Sequence, residues 1–555
     1  MTNHPTGITL NPEGYFEKEG QRIIPVGVNY WPASCGVEMW QQWPEQEIQA
    51  DLDLVAQLGL NCVRFFLRWQ DFEPAPGWYD STCLSRLSLF LEWCRQRKLH
   101  AQPSLFVGWM SGGIFWPQWK ENRNLYSDRM MVERAAAFVR QACEVISPYH
   151  ADLLGIDLGN EICDLPDCDA APPDAVKEWC RTITSAIRSV YPNALIVTGN
   201  EQRQLNDDSG WRFGDQPGID YYSMHGYPVP NWHTIGFDGM TDPLAQSLLP
   251  TYINAARAFG PVLLQEFGTI ATWGVAQQEL YLRNLLPACW KAGANGFLWW
   301  CLRDIHARIH PYTRHNFEST LGLVDQNNNV KPGLEYFLEF AHSLSERESP
   351  DLTNIETGIY FPIHYYHREN PHNPGQSPRE VSPRLMAARY LLQQNGHRVR
   401  FVRGDQAFPP SLKRLIVPGI YLTLDDQLAI QSWVYHGGTL IWSGVDPVNW
   451  GKIAITLLGA QPVDYRAPVT SNIHVFGEEW EFHSYPRGYR VEVQPTTAKV
   501  LASDPNQLPL LLKNNYGSGT VLFAIPLVED QFVRLANQPA LRDRWIRFYK
   551  GLLTG

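Results

Sequence analysis

Two glutamates carry the chemistry this sequence suggests: Glu161, at the end of LLGIDLGNE (153–161), and Glu266, near the end of PVLLQEFG (261–268). Each closes a short apolar run with the Leu, Ile and Val content of a strand buried on both faces. Paired strand-end carboxyls, far apart in sequence, suit glycoside hydrolysis. One protonates the leaving oxygen, and the other attacks the sugar or activates water. A separation of about 5 Å fits the retaining route, and roughly 6.5–9.5 Å fits inversion. Residues 199–201 repeat the string Gly-Asn-Glu, so Glu201 is a second candidate at a strand end, suited to touching a sugar hydroxyl.

The elements that must position these groups alternate regularly. Apolar runs at 23–32, 61–66, 100–109, 153–161, 193–201, 218–228, 261–268 and 294–304 read as eight strands. Helical patterns at 45–58, 83–97, 128–147, 174–190, 243–259 and 275–292 separate most of them. Eight such units predict a (β/α)8 TIM barrel over residues 1–345, with Glu161 on strand four and Glu266 on strand seven. An open doubly wound sheet would want a glycine-rich turn after strand one, and GVNYWP is not one. A charged stretch with Pro350 (346–354) reads as a linker. Residues 355–555 then read as a smaller open α/β domain, with a β-rich segment at 465–520.

Composition excludes other classes. The chain has 555 residues, 44% of them hydrophobic, and a formal net charge of −11. This is a globular composition whose sign disfavours nucleic acid and anionic membrane as partners. No apolar run is long enough to span a membrane, and no secretory signal is visible at the N-terminus. The ten cysteines all fall between Cys35 and Cys301 without a metal-binding spacing, so free thiols in a cytoplasmic protein are expected, with no metal and no cofactor. The 21 tryptophans suit both a large core and a site that stacks on sugar faces.

The residues at the strand ends carry a resemblance. GVNYWP on strand one, Arg64 in NCVRFF, Asn160-Glu161, His225 and Tyr227 in MHGYP, Glu266, and Trp300 in FLWWCL resemble the pattern of clan A retaining glycoside hydrolases, closest to family 5. The resemblance implies that Glu161 is acid/base and Glu266 nucleophile. It further implies that Asn160 binds the sugar 2-hydroxyl, that Arg64, His225 and Tyr227 orient the nucleophile, and that Trp300 floors the innermost subsite. Many members carry a histidine at the end of strand three. Here Gly108, Trp109 and Met110 stand instead, which makes Trp109 the candidate for that contact.

Trp116 and Trp119 after strand three and Trp232 after strand six are expected to wall one side of the mouth, giving exo action on short oligosaccharides. The expected activity is therefore a retaining exo-β-glycosidase, of β-mannosidase or β-glucosidase type. β-Galactosidase, glycosyl transfer to another sugar, and non-catalytic sugar binding are the other readings. The C-terminal domain resembles the flavodoxin- or amidotransferase-like domain of family 42 β-galactosidases. It has no cysteine to act as an amidotransferase nucleophile, so an assembly role as a homo-oligomer is expected of it.

Overall fold

The computed structural model describes residues 7–554 except 207–209, 229–238, 270–273, 368–376, 467–469, 484–489 and 537. The chain divides into two compact units, 1–350 and 351–555.

The first unit is built on eight parallel strands: β1 (Val26–Tyr30), β2 (Cys62–Phe66), β3 (His100–Ser104), β4 (Ile156–Asp157), β5 (Ile196–Val197), β6 (Tyr222–Gly226), β7 (Val262–Phe267) and β8 (Ala294–Trp299). They are ordered β5-β4-β3-β2-β1-β8-β7-β6, and a parallel bridge between Val197 and Tyr221 joins the two ends into a barrel. Strands β1, β2 and β6–β8 are buried at every position, as continuous apolar runs require inside a ring of helices. Gly27 permits the close approach of β1 to β2, since a Cβ there would fall 1.8 Å from the Cys62 carbonyl oxygen.

The outer helices are α1 (Glu45–Gln57), α2 (Ser81–Gln96), α3 (Arg129–Ile146), α4 (Pro173–Val190), α5 (Leu248–Ala256), α6 (Val275–Ala292) and α7 (Glu335–Ser343). Asp80 starts α2 by accepting hydrogen bonds from the Thr82 and Cys83 amides, and Asp128 caps α3 through the Met131 amide. Among the described residues, the four-residue helix Arg203–Asn206 is the only one between β5 and β6.

Strand four differs from expectation. Its regular part is two residues long, and the flanking positions are held singly, through Leu154 N to Ala101 O, Leu158 N to Val197 O and Asn160 N to Phe106 O. The N-terminal residues form a three-stranded ribbon (Thr9–Leu10, Phe16–Lys18, Gln21–Ile23). Phe16 is fully buried against Cys62, Leu154, Val197, Leu263 and Leu298, with its ring edge-on to Tyr221 at 5.1 Å. It thus stops the end of the barrel opposite the strand C-termini.

The second unit is an open α/β domain. Its seven-stranded sheet begins parallel, with β9 (Thr357–Phe361) between β10 (Val399–Arg403) and β11 (Arg414–Pro418), followed by β12 (Thr439–Ser443). The order second-first-third-fourth is that of flavodoxin-like sheets. Strand Gly519–Ala524 continues it in parallel, and Pro509–Tyr516 and Lys499–Ser503 finish it antiparallel. Two antiparallel pairs, Ala460–Arg466 with Arg490–Pro495 and Thr470–Val475 with Glu478–His483, form the small β region. Two helices, Val528–Leu535 and Pro539–Thr554, follow the last strand.

Phe16→Ala should cost roughly 3–5 kcal/mol of stability, the usual loss for emptying a close-packed aromatic site. A denaturant midpoint within experimental error of wild type would show that the ribbon does not stopper the barrel.

Candidate active site

The geometry at the C-terminal mouth is built outward from Arg64. Barrel register sets Asn29, Arg64 and Gln102 side by side on β1, β2 and β3. The Arg64 guanidinium, wholly buried, bonds Asp157 Oδ2 through Nε (3.0 Å) and Nη2 (2.7 Å). It also donates to Asn160 Oδ1 (2.8 Å), Asn29 Oδ1 (2.9 Å) and Glu266 Oε2 (3.3 Å). Its tightest carboxylate is therefore Asp157, not the expected Glu266. A cation with no water around it needs this many acceptors to be retained.

Glu266 leaves β7 with Oε1 accepting from the Tyr227 hydroxyl at 2.6 Å and Oε2 from Arg64. Glu161 adopts a left-handed backbone, φ 49°, a conformation costly for a residue with a side chain. Its amide donates to Gly199 O (3.2 Å) and its carbonyl accepts from the Asp164 amide (3.0 Å), which fixes the turn that faces the carboxyl into the mouth.

A register shift between Met224 and His225 re-aims the histidine beside Glu266. Its Nδ1 lies 2.9 Å from Glu161 Oε1 but 3.6 Å from Glu266 Oε2, so it serves Glu161 more than the nucleophile candidate to which it was assigned. Its Nε2 lies 3.0 Å from Gln265 Oε1. Gln265 donates to Gln102 (2.8 Å), and Gln102 to the Tyr221 hydroxyl (2.7 Å). With the amides so oriented, Nε2 is the protonated nitrogen and Nδ1 is left to accept a proton held by Glu161.

The charges agree with that arrangement. Burial pushes His225 below its usual range, keeping it neutral. Burial first, and then the neighbouring Asp164 carboxylate, raises Glu161 to about 8. Burial also raises Glu266, but Arg64 and Tyr227 both oppose that rise. Glu161 has only Arg64 acting in that direction, so it is the carboxyl that keeps its proton.

Nearest donor atoms of Glu161, His225 and Glu266 all lie within 4.8 Å of one another. Such a trio could in principle gather a divalent cation. Here, however, the imidazole is bonded to Glu161, and Glu266 is occupied by Arg64 and Tyr227.

These groups open on a cavity of about 630 Å³. Trp109, Asn160, Glu161, Glu201, Tyr227, Glu266 and Trp300 all line it, which brings seven of the nine expected site residues to one surface, while Arg64 and His225 stand behind it. Trp109 is the most open of them, 39% exposed. The Asn160 side chain is engaged on both ends, by Arg64 and by the Trp109 carbonyl (2.6 Å). Glu201 shares a hydrogen bond with Asp164, which is held in turn by Arg203 (3.1 Å) and Gln204 (2.9 Å). Trp116 and Trp119 do not wall the cavity. They pack edge-on around Trp69, and Trp119 donates to the Glu73 carbonyl. Trp232 lies outside the described residues.

Sequence reasoning missed Asp157, Gln265, Asp164, Ser111 and Glu318, all of which reach the cavity or the groups behind it.

A family profile described as Cellulase (glycosyl hydrolase family 5) matches residues 21–304. The chain belongs to glycosyl hydrolase family 5. It is a glycoside hydrolase, as the paired carboxyls require. Among solved structures, it is similar to the exo-beta-1,4-mannosidase Op5Man5 from Opitutaceae bacterium strain TAV5. The two are 50% identical over 98% of this chain and 99% of that one, with a TM-score of 0.94. Two more distant likenesses concern the fold alone. A GH5_18 protein from Streptomyces cattleya, in complex with GlcNAc, is 22% identical over 72% of this chain and 99% of its own, TM-score 0.62. A catalytic mutant of Gan42B, a GH42 beta-galactosidase from G. stearothermophilus, is 15% identical over 94% and 88%, TM-score 0.69. A comparison with curated protein sequences finds no match. Among the described residues, no helix is long and apolar enough to cross a membrane.

Asp157→Ala would leave the Arg64 cation buried with its best partner gone. The expected loss of stability is roughly 3–5 kcal/mol, read as a fall in the denaturant midpoint. Unchanged stability would mean that water or Glu266 takes over the charge without penalty, contrary to the order of distances.

Proposed function

We propose that the chain is a retaining, exo-acting β-mannosidase that removes terminal β-linked mannose from short oligosaccharides. The observation that carries this reading is the approach of Glu161 and Glu266 oxygens to within 4.8 Å, the spacing of double displacement and well short of the roughly 6.5–9.5 Å that inversion needs. The choice of mannose rests on the 50% identity to an exo-beta-1,4-mannosidase over nearly the whole of both chains.

In this mechanism Glu266, its charge steadied by Tyr227 and Arg64, attacks the anomeric carbon. Glu161 gives its proton to the leaving oxygen. Esterification of Glu266 removes the negative charge that opposes ionisation of Glu161, which then takes a proton from water as the intermediate is hydrolysed. Trp300 supplies a flat face for the sugar, and Asn160 a partner for the 2-hydroxyl through its remaining lone pair or N–H.

Exo action is supported by the close approach of two loops at one end of the cavity. The hairpin at 109–114 reaches the loop after β8, where a Cβ on Gly112 would lie 1.8 Å from His315 Nε2. Ten free, buried thiols favour a reducing, cytoplasmic setting. The proposal includes homo-oligomer formation through the second unit, where Leu424, Leu428 and Tyr435 leave an exposed apolar stripe on one helix. Light scattering of the full chain should therefore give a mass above 63.4 kDa, and a monomeric mass at micromolar concentration would remove this part.

Among aryl β-mannoside, β-glucoside, β-galactoside and β-xyloside, the mannoside should be hydrolysed with the highest kcat/KM, and a faster glucoside or galactoside would replace the sugar assignment. Glu161→Ala should accept azide from the β face to give the β-glycosyl azide, and Glu266→Ala should give the α-azide. Exchanged products would reverse the two roles.

The pH profile follows from the charges. The acid must be protonated, so kcat/KM should fall as pH rises through about 8, where Glu161 ionises. The nucleophile must be ionised, so activity should also fall at low pH, as Glu266 takes up a proton. A rate still climbing at pH ~9 would mean that Glu161 is not the acid.

A further inference from the structure

The loop after β8 places one carboxylate in the cavity that the mechanism above does not use. Glu318 is 3% exposed and lines the cavity beside Trp300, and its Oε2 accepts the Trp300 indole N–H at 3.0 Å. No cation pairs with it among the described residues. A carboxylate has about four lone-pair sites, so one indole donor leaves most of its capacity unused in a buried position, where unmet acceptors are costly.

Ser111 stands next to it. Met110 to Gly113 form a two-residue hairpin turn with Ser111 at φ 50° and Gly112 at φ 81°, the pattern of a type I′ turn. Burial raises the Glu318 carboxyl to about 7, and the turn carries Ser111 to the cavity wall, close enough for its hydroxyl to oppose that rise. Yet Ser111 Oγ is buried and makes no hydrogen bond of proper geometry among the described residues. An unspent acceptor thus lines the cavity with the buried Ser111 hydroxyl beside it, at the end where Gly112 meets His315.

The position of this end relative to the reaction follows from the proposed roles. The leaving group must lie against the acid, Glu161, on the side of Asp164 and Glu201. Glu318 belongs instead to the side of Trp300 and Glu266, where the sugar being transferred sits. Sugar hydroxyls are the donors a buried carboxylate there would take.

Resting on the glycosidase reading, we propose that Glu318 is a specificity-determining residue that accepts hydrogen bonds from hydroxyls of the terminal sugar remote from the scissile bond, at C3, C4 or C6, with Ser111 assisting. The competing role is structural: Glu318 would serve only to hold the Trp300 ring.

The test compares wild type and Glu318→Gln on aryl β-mannoside and its 3-, 4- and 6-deoxy analogues, or on the corresponding series of whichever aryl β-glycoside the enzyme hydrolyses fastest. Glutamine keeps an oxygen for the Trp300 N–H but loses a charged acceptor. Wild type should lose roughly 10- to 100-fold in kcat/KM on at least one deoxy analogue, as expected for a hydrogen bond to a charged group. Glu318→Gln should lose a comparable factor on the parent sugar and only a few-fold more on that same analogue, so that discrimination at that hydroxyl collapses. A uniform loss across all four substrates would overturn the proposal and leave Glu318 as a support for Trp300. Ser111→Gly, which suits the left-handed backbone, should give a smaller loss confined to the same hydroxyl, and it decides the matter if Glu318→Gln does not fold. Failure of wild type on every aryl β-glycoside would overturn the glycosidase reading and this one with it, whereas a uniform loss touches Glu318 alone.

Discussion

Everything at the mouth of the barrel depends on one wholly buried cation. Arg64 is sealed from solvent, so the fold must supply acceptors from three strands: Asn29 on β1, Asp157 and Asn160 on and after β4, and Glu266 on β7. Each bond also ties down the residue that makes it. Asn160 is fixed next to Glu161, and Glu266 is held with one oxygen toward the guanidinium and the other toward Tyr227. Because the contacts run around the barrel rather than along one strand, the positions of the two catalytic candidates are set by barrel closure itself. Asp157 compensates most of the charge. That leaves Glu266 a partner which steadies its negative charge without binding it so tightly that it could not attack.

The cavity surface contrasts with that core. Glu161, Asp164, Glu201, Glu266 and Glu318 all face it or each other, and burial raises every one of them. Close carboxyls in a water-poor site cannot all ionise, so the group holds protons at neutral pH. Two consequences serve the chemistry. Glu161 retains the proton it must deliver, and the site keeps negative character where the sugar ring gains positive charge in the transition state. Neutral His225 fits this economy: its Nε2 proton is committed to Gln265, and its Nδ1 is free to accept rather than to compete as a second acid.

How far the site was legible in the sequence depends on whether a residue's role is local. Glu161 and Glu266 close buried apolar runs, and a carboxyl at such a place is visible without knowing its neighbours. The barrel was legible for the same reason, since period and run length are local properties, and α1, α2, α3, α4 and α6 fall within two residues of their expected ends at every terminus. Asp157 and Gln265 left a fainter trace. Each is a polar residue inside an otherwise apolar strand, which is costly unless a buried partner waits for it, but the identity of the partner depends on register between strands. Trp116 and Trp119 show the converse. Their residue type suggested a sugar platform, yet side-chain direction in an irregular loop has no period to reveal it, and Trp69 recruits them into the core.

Glu318 lies at the far end of this scale. It sits in a long connection after β8, in a five-residue 3-10 helix (Asn316–Thr320) too short to carry an apolar period, so neither its burial nor its neighbours can be inferred from the chain around it. Its environment comes from two loops that meet only after the barrel closes. The loop after β3 contributes a hairpin whose turn needs glycine at 112, and the loop after β8 contributes His315, which occupies the space a side chain at 112 would fill. The same contact that ends the cavity therefore builds the wall on which Ser111 and Glu318 stand. In a barrel whose catalytic pair is fixed by strand register, differences between sugars are then read by loops, because only loops can change at the closed end without disturbing Arg64 and the groups it holds.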